Sequence, residues 1–99
     1  MFDLHHESLD RLFASILKLE TVEECYSFFE DICTIKEIRD IAQRLDVAIM
    51  LSEGKNYQEI TAATGASTAT ISRVSRSYEY GAGGYKTVIA RLDKEKTNA

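Results

Sequence analysis

Paired signals for starting and stopping helices punctuate this chain, and no proline interrupts what lies between them. "TVEE" and "TIKE" each set a threonine three residues ahead of a glutamate, at Thr21 and Glu24 and again at Thr34 and Glu37. In that spacing the hydroxyl accepts the third helical amide while the carboxylate reaches back to the cap's own amide, so each run predicts a helix start. Asn56 with Glu59 repeats the signature, and Ser67 offers a cap ahead of "TATISR". Gly54, Gly65 and "GAGG" at 81–84 supply the stops.

Apolar residues fill the intervals at three- and four-residue spacing. Leu9, Leu12, Phe13, Ile16 and Leu17 predict a first helix over about residues 3–19. Val22, Cys25, Phe28, Phe29 and Ile32 mark a second, and Ile35, Ile38, Ile41, Ala42, Leu45, Ala48 and Ile49 a long third that runs to about Glu53. A short fourth helix follows Asn56, and a fifth follows Ser67 and carries Ala69, Ile71 and Val74 toward the core. Tyr85, Val88, Ile89 and Leu92 mark the last, over 84–92, before a charged tail, "DKEKTNA", expected to fray. With no strand pattern the fold class is all-α with about six helices, and 99 residues suggest one domain. So short a chain buries a modest share of its surface, which makes a second copy contributing core a reasonable expectation.

Charge is divided along the chain. Residues 1–53 hold 5 Lys and Arg against 12 Asp and Glu, a net of −7, whereas residues 54–99 hold 7 against 4, a net of +3. A mildly basic binding module on an acidic body for dimerisation or regulation fits that split. The body is 1–53, and the module is the pair of helices over 56–76. Cys25 and Cys33 lie eight apart without a CxxC, so two buried, reduced thiols are expected. His5 and His6 are neighbours whose side chains diverge by about 100° on a helix, so no metal site is expected. No carboxylate pair and no Ser or Cys with a nearby His suggests catalysis, so the chain is not expected to be an enzyme. It has no apolar run of membrane-spanning length, and "MFDLHHESLD" is no signal peptide, which points to the cytoplasm without membrane association.

Two short helices joined at a glycine describe a helix-turn-helix, with Ile60, Ile71 and Val74 placed to pack across the turn. The other face of the fifth helix carries Ser67, Thr68, Thr70, Ser72, Arg73 and Arg76, with Ala69 as a small apolar contact. Hydroxyls bond phosphates or base edges, alanine meets a thymine methyl, and arginine neutralises phosphate, so this face suits double-stranded DNA. Short side chains let the helix sit deep in a major groove. The same pattern also serves a helical hairpin that docks a protein partner and never meets DNA, a reading that the overall net charge of −4 supports.

"QRLDVAIMLSEGKNYQEITAATGASTATISRVSRSY" resembles the core of the Trp repressor family, and the whole chain is similar to its smaller YerC/YecD group. The most specific element is "GASTATISR" after a glycine-terminated long helix. The resemblance implies an intertwined all-helical homodimer that acts as a transcriptional regulator, most simply a repressor, on a roughly palindromic operator. Its half-sites would lie one DNA turn apart, about 34 Å. The family's DNA-facing positions fall on Gln58, Thr61, Ser67, Thr68, Ala69, Thr70 and Ser72. Several family members have cations where Gln58 and Thr61 stand, which leaves Lys55, Arg73 and Arg76 as the nearby positive charges and predicts a shallow salt dependence.

In the same family a corepressor lies between the long helix and the recognition helix. Its contacts align with Thr34, Arg44, Arg73 and Ser77, across a chain one residue shorter between Gly54 and Gln58. Val74 replaces the family's glycine there, and a branched side chain in the indole volume argues against tryptophan. An amino-acid sensor of other specificity, with no fixed cofactor, remains the third reading.

Overall fold

The protein is described here by a computed structural model that covers residues 6–98, so His5 lies outside the described residues. Six helices follow in order: α1 (Glu7–Ile16), α2 (Val22–Ile32), α3 (Ile35–Ser52), α4 (Tyr57–Thr64), α5 (Thr68–Tyr80) and α6 (Gly84–Asn98). No strand occurs among the described residues, as the periodicity requires. None of the described helices is long and apolar enough to cross a membrane.

Most starts are built as their sequence indicates. At α3 the Glu37 amide donates to Thr34 Oγ1 at 3.1 Å and the Thr34 amide donates to Glu37 Oε1 at 2.8 Å. The second of these bonds matters most for charge: the Thr34 amide, helped by its hydroxyl, holds the Glu37 carboxyl below its ordinary range. At α4 the Asn56 and Glu59 box closes in both directions. The start of α2 differs from the expected reciprocal pair. Thr21 Oγ1 accepts from the Glu24 amide, but the Glu24 carboxylate takes the Glu20 amide at 2.8 Å, one residue upstream.

The stops are equally local. Gly54, at φ 81°, closes α3 in a Schellman turn: Lys55 N donates to Met50 O and Gly54 N to Leu51 O, both at 3.1 Å. α1 is shorter than its apolar pattern, because Lys18 and Leu19 donate three residues back instead of four and tighten the last turn. α6 is longer than expected and runs to Asn98 rather than ending near residue 92. Lys94 and Glu95 are good helix formers, and no glycine or proline stops the helix there.

The chain divides into two compact units, Met1–Ile38 and Arg39–Ala99, with the boundary inside α3. In the first unit Phe28 and Phe29 meet edge to face, 5.6 Å between ring centres, yet neither α1 nor α2 contains a buried residue. The expected burial of the cysteines fails with it: Cys25 is exposed and Cys33 half-buried. Within the second unit Val47, Ala48, Ile60, Ala66, Ile71, Val74 and Ile89 form a single core, with Met50, Leu51, Tyr78 and Tyr85 against its edge. Everything that positions the candidate site belongs to this unit.

Candidate nucleic-acid interface

Ile60 and Ile71 are completely buried, and Val74 and Ala66 nearly so. They come from both helices of the pair and from the turn itself, which locks α4 to α5. Gly65 turns the chain at φ 74°, a conformation that costs an L-residue with a side chain roughly 1–2 kcal/mol. Thr64 secures the corner: its hydroxyl donates to Ile60 O at 2.8 Å and accepts the Ala66 amide at 3.1 Å. Gln43 on α3 adds a third tie by donating to Thr64 O at 3.1 Å. The turn is therefore fixed to the long helix as well as to the two that it joins.

With α5 held this way, the 100° step per residue separates its faces. Ile71 and Val74 point to the core, whereas Ala69, Arg73, Arg76 and Tyr80, at intervals of four, three and four, share the opposite, exposed side. The expectation that Ala69 turns toward the core is thus corrected; it is exposed, as a groove contact requires. Thr68 is exposed, and Thr70 and Ser72 are half-buried on the flanks. The hydroxyls are not equally available. Ser67 Oγ accepts the Thr70 amide and donates its one proton to Thr70 Oγ1, both at 3.1 Å, which leaves the Thr70 hydroxyl proton for another acceptor.

On α4, Gln58 and Thr61 are exposed and, with Tyr57, Ala62 and Thr68, line a depression of about 340 Å³ where α4 meets the start of α5. Lys55 is exposed just ahead of it. Tyr57, Ala62 and Tyr80 were not anticipated on this surface. For Tyr80 the signal was available, since it completes the spacing of Ala69, Arg73 and Arg76. Tyr57 was readable only as an aromatic residue directly after a cap.

Of the four residues aligned with a corepressor site, Thr34 belongs to the first unit and Arg44, Arg73 and Ser77 to the second. Arg44 and Ser77 line a cleft of about 630 Å³ with Ile41, Leu45, Tyr85 and Val88. Arg73 is exposed but lies outside that lining, and the Thr34 hydroxyl is occupied in capping α3. Val74 does not enter the cleft either: it is 2% exposed and part of the core, so any influence on the cleft acts through the packing of α5. A cleft with an apolar lining and one guanidinium suits a small molecule with an apolar body and an anionic group.

Comparison with known proteins adds independent findings. Residues 7–93 match the family model described as Trp repressor protein. The chain is 52% identical over 96 residues to the protein YerC of Bacillus subtilis (strain 168), covering 97% of this chain and 92% of that one. It also resembles two solved structures. One is a candidate Trp repressor from Staphylococcus aureus, with TM-score 0.88, 49% identity, and coverage of 91% of this chain and 90% of that one. The other is a TrpR-like protein from Eubacterium eligens ATCC 27750, with TM-score 0.89, 51% identity, and coverage of 91% and 93%.

Proposed function

Because the chain belongs to the Trp repressor protein family, we propose that it is a sequence-specific DNA-binding transcriptional regulator, most simply a repressor, which acts as a homodimer on a palindromic operator. The observation that carries this reading is the α4–Gly65–α5 unit, whose core is closed by Ile60, Ala66, Ile71 and Val74 while a face of hydroxyls and arginines is left exposed. In such units the second helix enters the major groove and the first crosses the backbone. Thr68, Ala69, Thr70 and Ser72 then meet base edges, and Lys55, Gln58, Thr61, Arg73 and Arg76 meet phosphates. Ser67 contributes by holding the start of α5, its hydroxyl already being engaged.

The homodimer rests on surface left uncovered in the first half of the chain. Leu17 is 84% exposed, Ile35 69% and Tyr26 66%, with Phe13, Val22 and Ile32 also more than half exposed. An amphipathic surface of this extent is expected to pair with a second copy, which sedimentation equilibrium tests directly. DNA recognition is tested by Thr68→Glu and Thr70→Glu in a gel shift with a duplex selected from random sequence. Both variants should stay folded and lose binding; retained binding by both would refute the placement of the recognition helix.

The cleft lined by Arg44 and Ser77 favours a second, compatible reading in which a small amphipathic anion acts as effector. Thermal shift against a panel of amino acids that includes tryptophan should find a stabilising ligand, and Arg44→Ala should abolish the shift.

A further inference from the structure

The depression between α4 and the start of α5 carries no cation on its lining: Tyr57, Gln58, Thr61, Ala62 and Thr68 are all neutral. It nevertheless lies where the first helix of a helix-turn-helix crosses the DNA backbone. The phenol of Tyr57 is the largest group there, 39% exposed, and its hydroxyl lies 3.4 Å from Ser72 Oγ on the recognition helix. That distance is at the long end for a hydrogen bond between hydroxyls, which usually form one at about 2.7–2.8 Å. A contact so stretched is readily exchanged for a better acceptor. A phosphate oxygen is such an acceptor, because hydrogen bonds to an ionised group are shorter and about twice as strong as those between neutral groups.

We propose that Tyr57 is a DNA-contacting residue of this interface: its hydroxyl leaves Ser72 and donates to a backbone phosphate seated in the depression beside Gln58 and Thr61. The inference rests on the DNA-binding reading above and refines it. The exchange releases Ser72 Oγ, so backbone contact on α4 and hydroxyl readout on α5 become available together. The ring remains as a wall of the depression, and the phosphate is held by neutral donors instead of by charge.

The test uses Tyr57→Phe, which keeps the ring and removes only the hydroxyl, in fluorescence anisotropy with a selected duplex across a salt series. Binding should weaken about fivefold to tenfold, the effect of one hydrogen bond. The salt slope should stay unchanged, whereas Arg73→Ala should reduce it by about 0.9. A scan with single methylphosphonates, each neutralising one phosphate, separates contact from scaffolding. At one position the neutral linkage should weaken the wild-type protein and have no further effect on Tyr57→Phe. Unchanged affinity in Tyr57→Phe, or weakened affinity with a methylphosphonate profile identical to the wild type, would overturn the proposal and leave DNA binding intact. A wild-type protein that selects no duplex would overturn the DNA-binding reading and this one with it.

Discussion

Gly65 gives the sharpest quantitative test of how the two helices are joined. Its φ of 74° is left-handed, and a Cβ built there meets nothing within 4 Å. Size alone therefore costs little, and the penalty for a side chain is conformational. For Gly65→Ala the strain is about 1–2 kcal/mol. Stiffening the unfolded chain returns about 0.4–1 kcal/mol, so the net loss should be close to 1 kcal/mol. In a domain of this size that corresponds to a fall in Tm of about 4–8 °C. Asparagine tolerates the left-handed region and should cost less than alanine, and a β-branched valine should cost more. Urea denaturation of the three variants, at one fixed protomer concentration because the proposed dimer makes stability concentration-dependent, checks the order. Gly65→Ala indistinguishable from wild type, or Gly65→Asn as damaging as Gly65→Val, would refute the argument that positive φ holds the turn.

A second glycine should fail for the opposite reason. A Cβ at Gly81 would run into the Ser77 carbonyl oxygen although φ there is not left-handed, so Gly81→Ala should cost about 1–3 kcal/mol, whereas Gly84→Ala, with open space around it, should not destabilise; thermal melts compare the two. Glu37, whose carboxyl is held low by the Thr34 amide and hydroxyl, is more acidic in the folded chain than in the unfolded one, so its contribution is present at neutral pH and is lost as pH falls through the carboxylate range. The stability difference between wild type and Glu37→Gln, measured as urea midpoints, should therefore shrink between pH 6 and pH 3, a span taken about the ordinary carboxylate value of ~4.3.

Much of the second unit was legible because its determinants are local. Asn56 with Glu59, Gly65 and Ser67 each act within four residues, so a single sequence displays both halves of every interaction. The core positions Ile60, Ile71 and Val74 follow from helical spacing about the turn for the same reason. What escaped depends on distance or on competition between equivalent partners. The Tyr57 contact with Ser72 spans fifteen residues, and no spacing rule joins them. The Gln43 tie to Thr64 O spans twenty-one. Glu24 had two neighbouring amides to choose from, those of Thr21 and Glu20, and it takes Glu20. Arg44, Arg73 and Ser77 were grouped by resemblance, while the packing of the second unit brings Arg44 and Ser77 to one cleft and leaves Arg73 outside its lining.

The failed expectation about Cys25 and Cys33 leads further than the successful ones. It assumed that an apolar helical face finds its cover within the same chain, and the first unit covers none of its own helical residues completely. Fully burying a large apolar side chain is worth roughly 1.5–3 kcal/mol. Phe13, Leu17, Val22, Tyr26, Ile32 and Ile35 are all more than half exposed. Even at half that value each, their burial in both copies of the proposed homodimer would be comparable to the upper part of the ~4–15 kcal/mol entropic cost of association. A hydrophobic pattern read from one sequence reports which face will be dry and is silent on which chain dries it. The same silence explains why the packing of α4 against α5, whose core lies wholly within one chain, could be read residue by residue while the body that would set two such pairs one DNA turn apart could not.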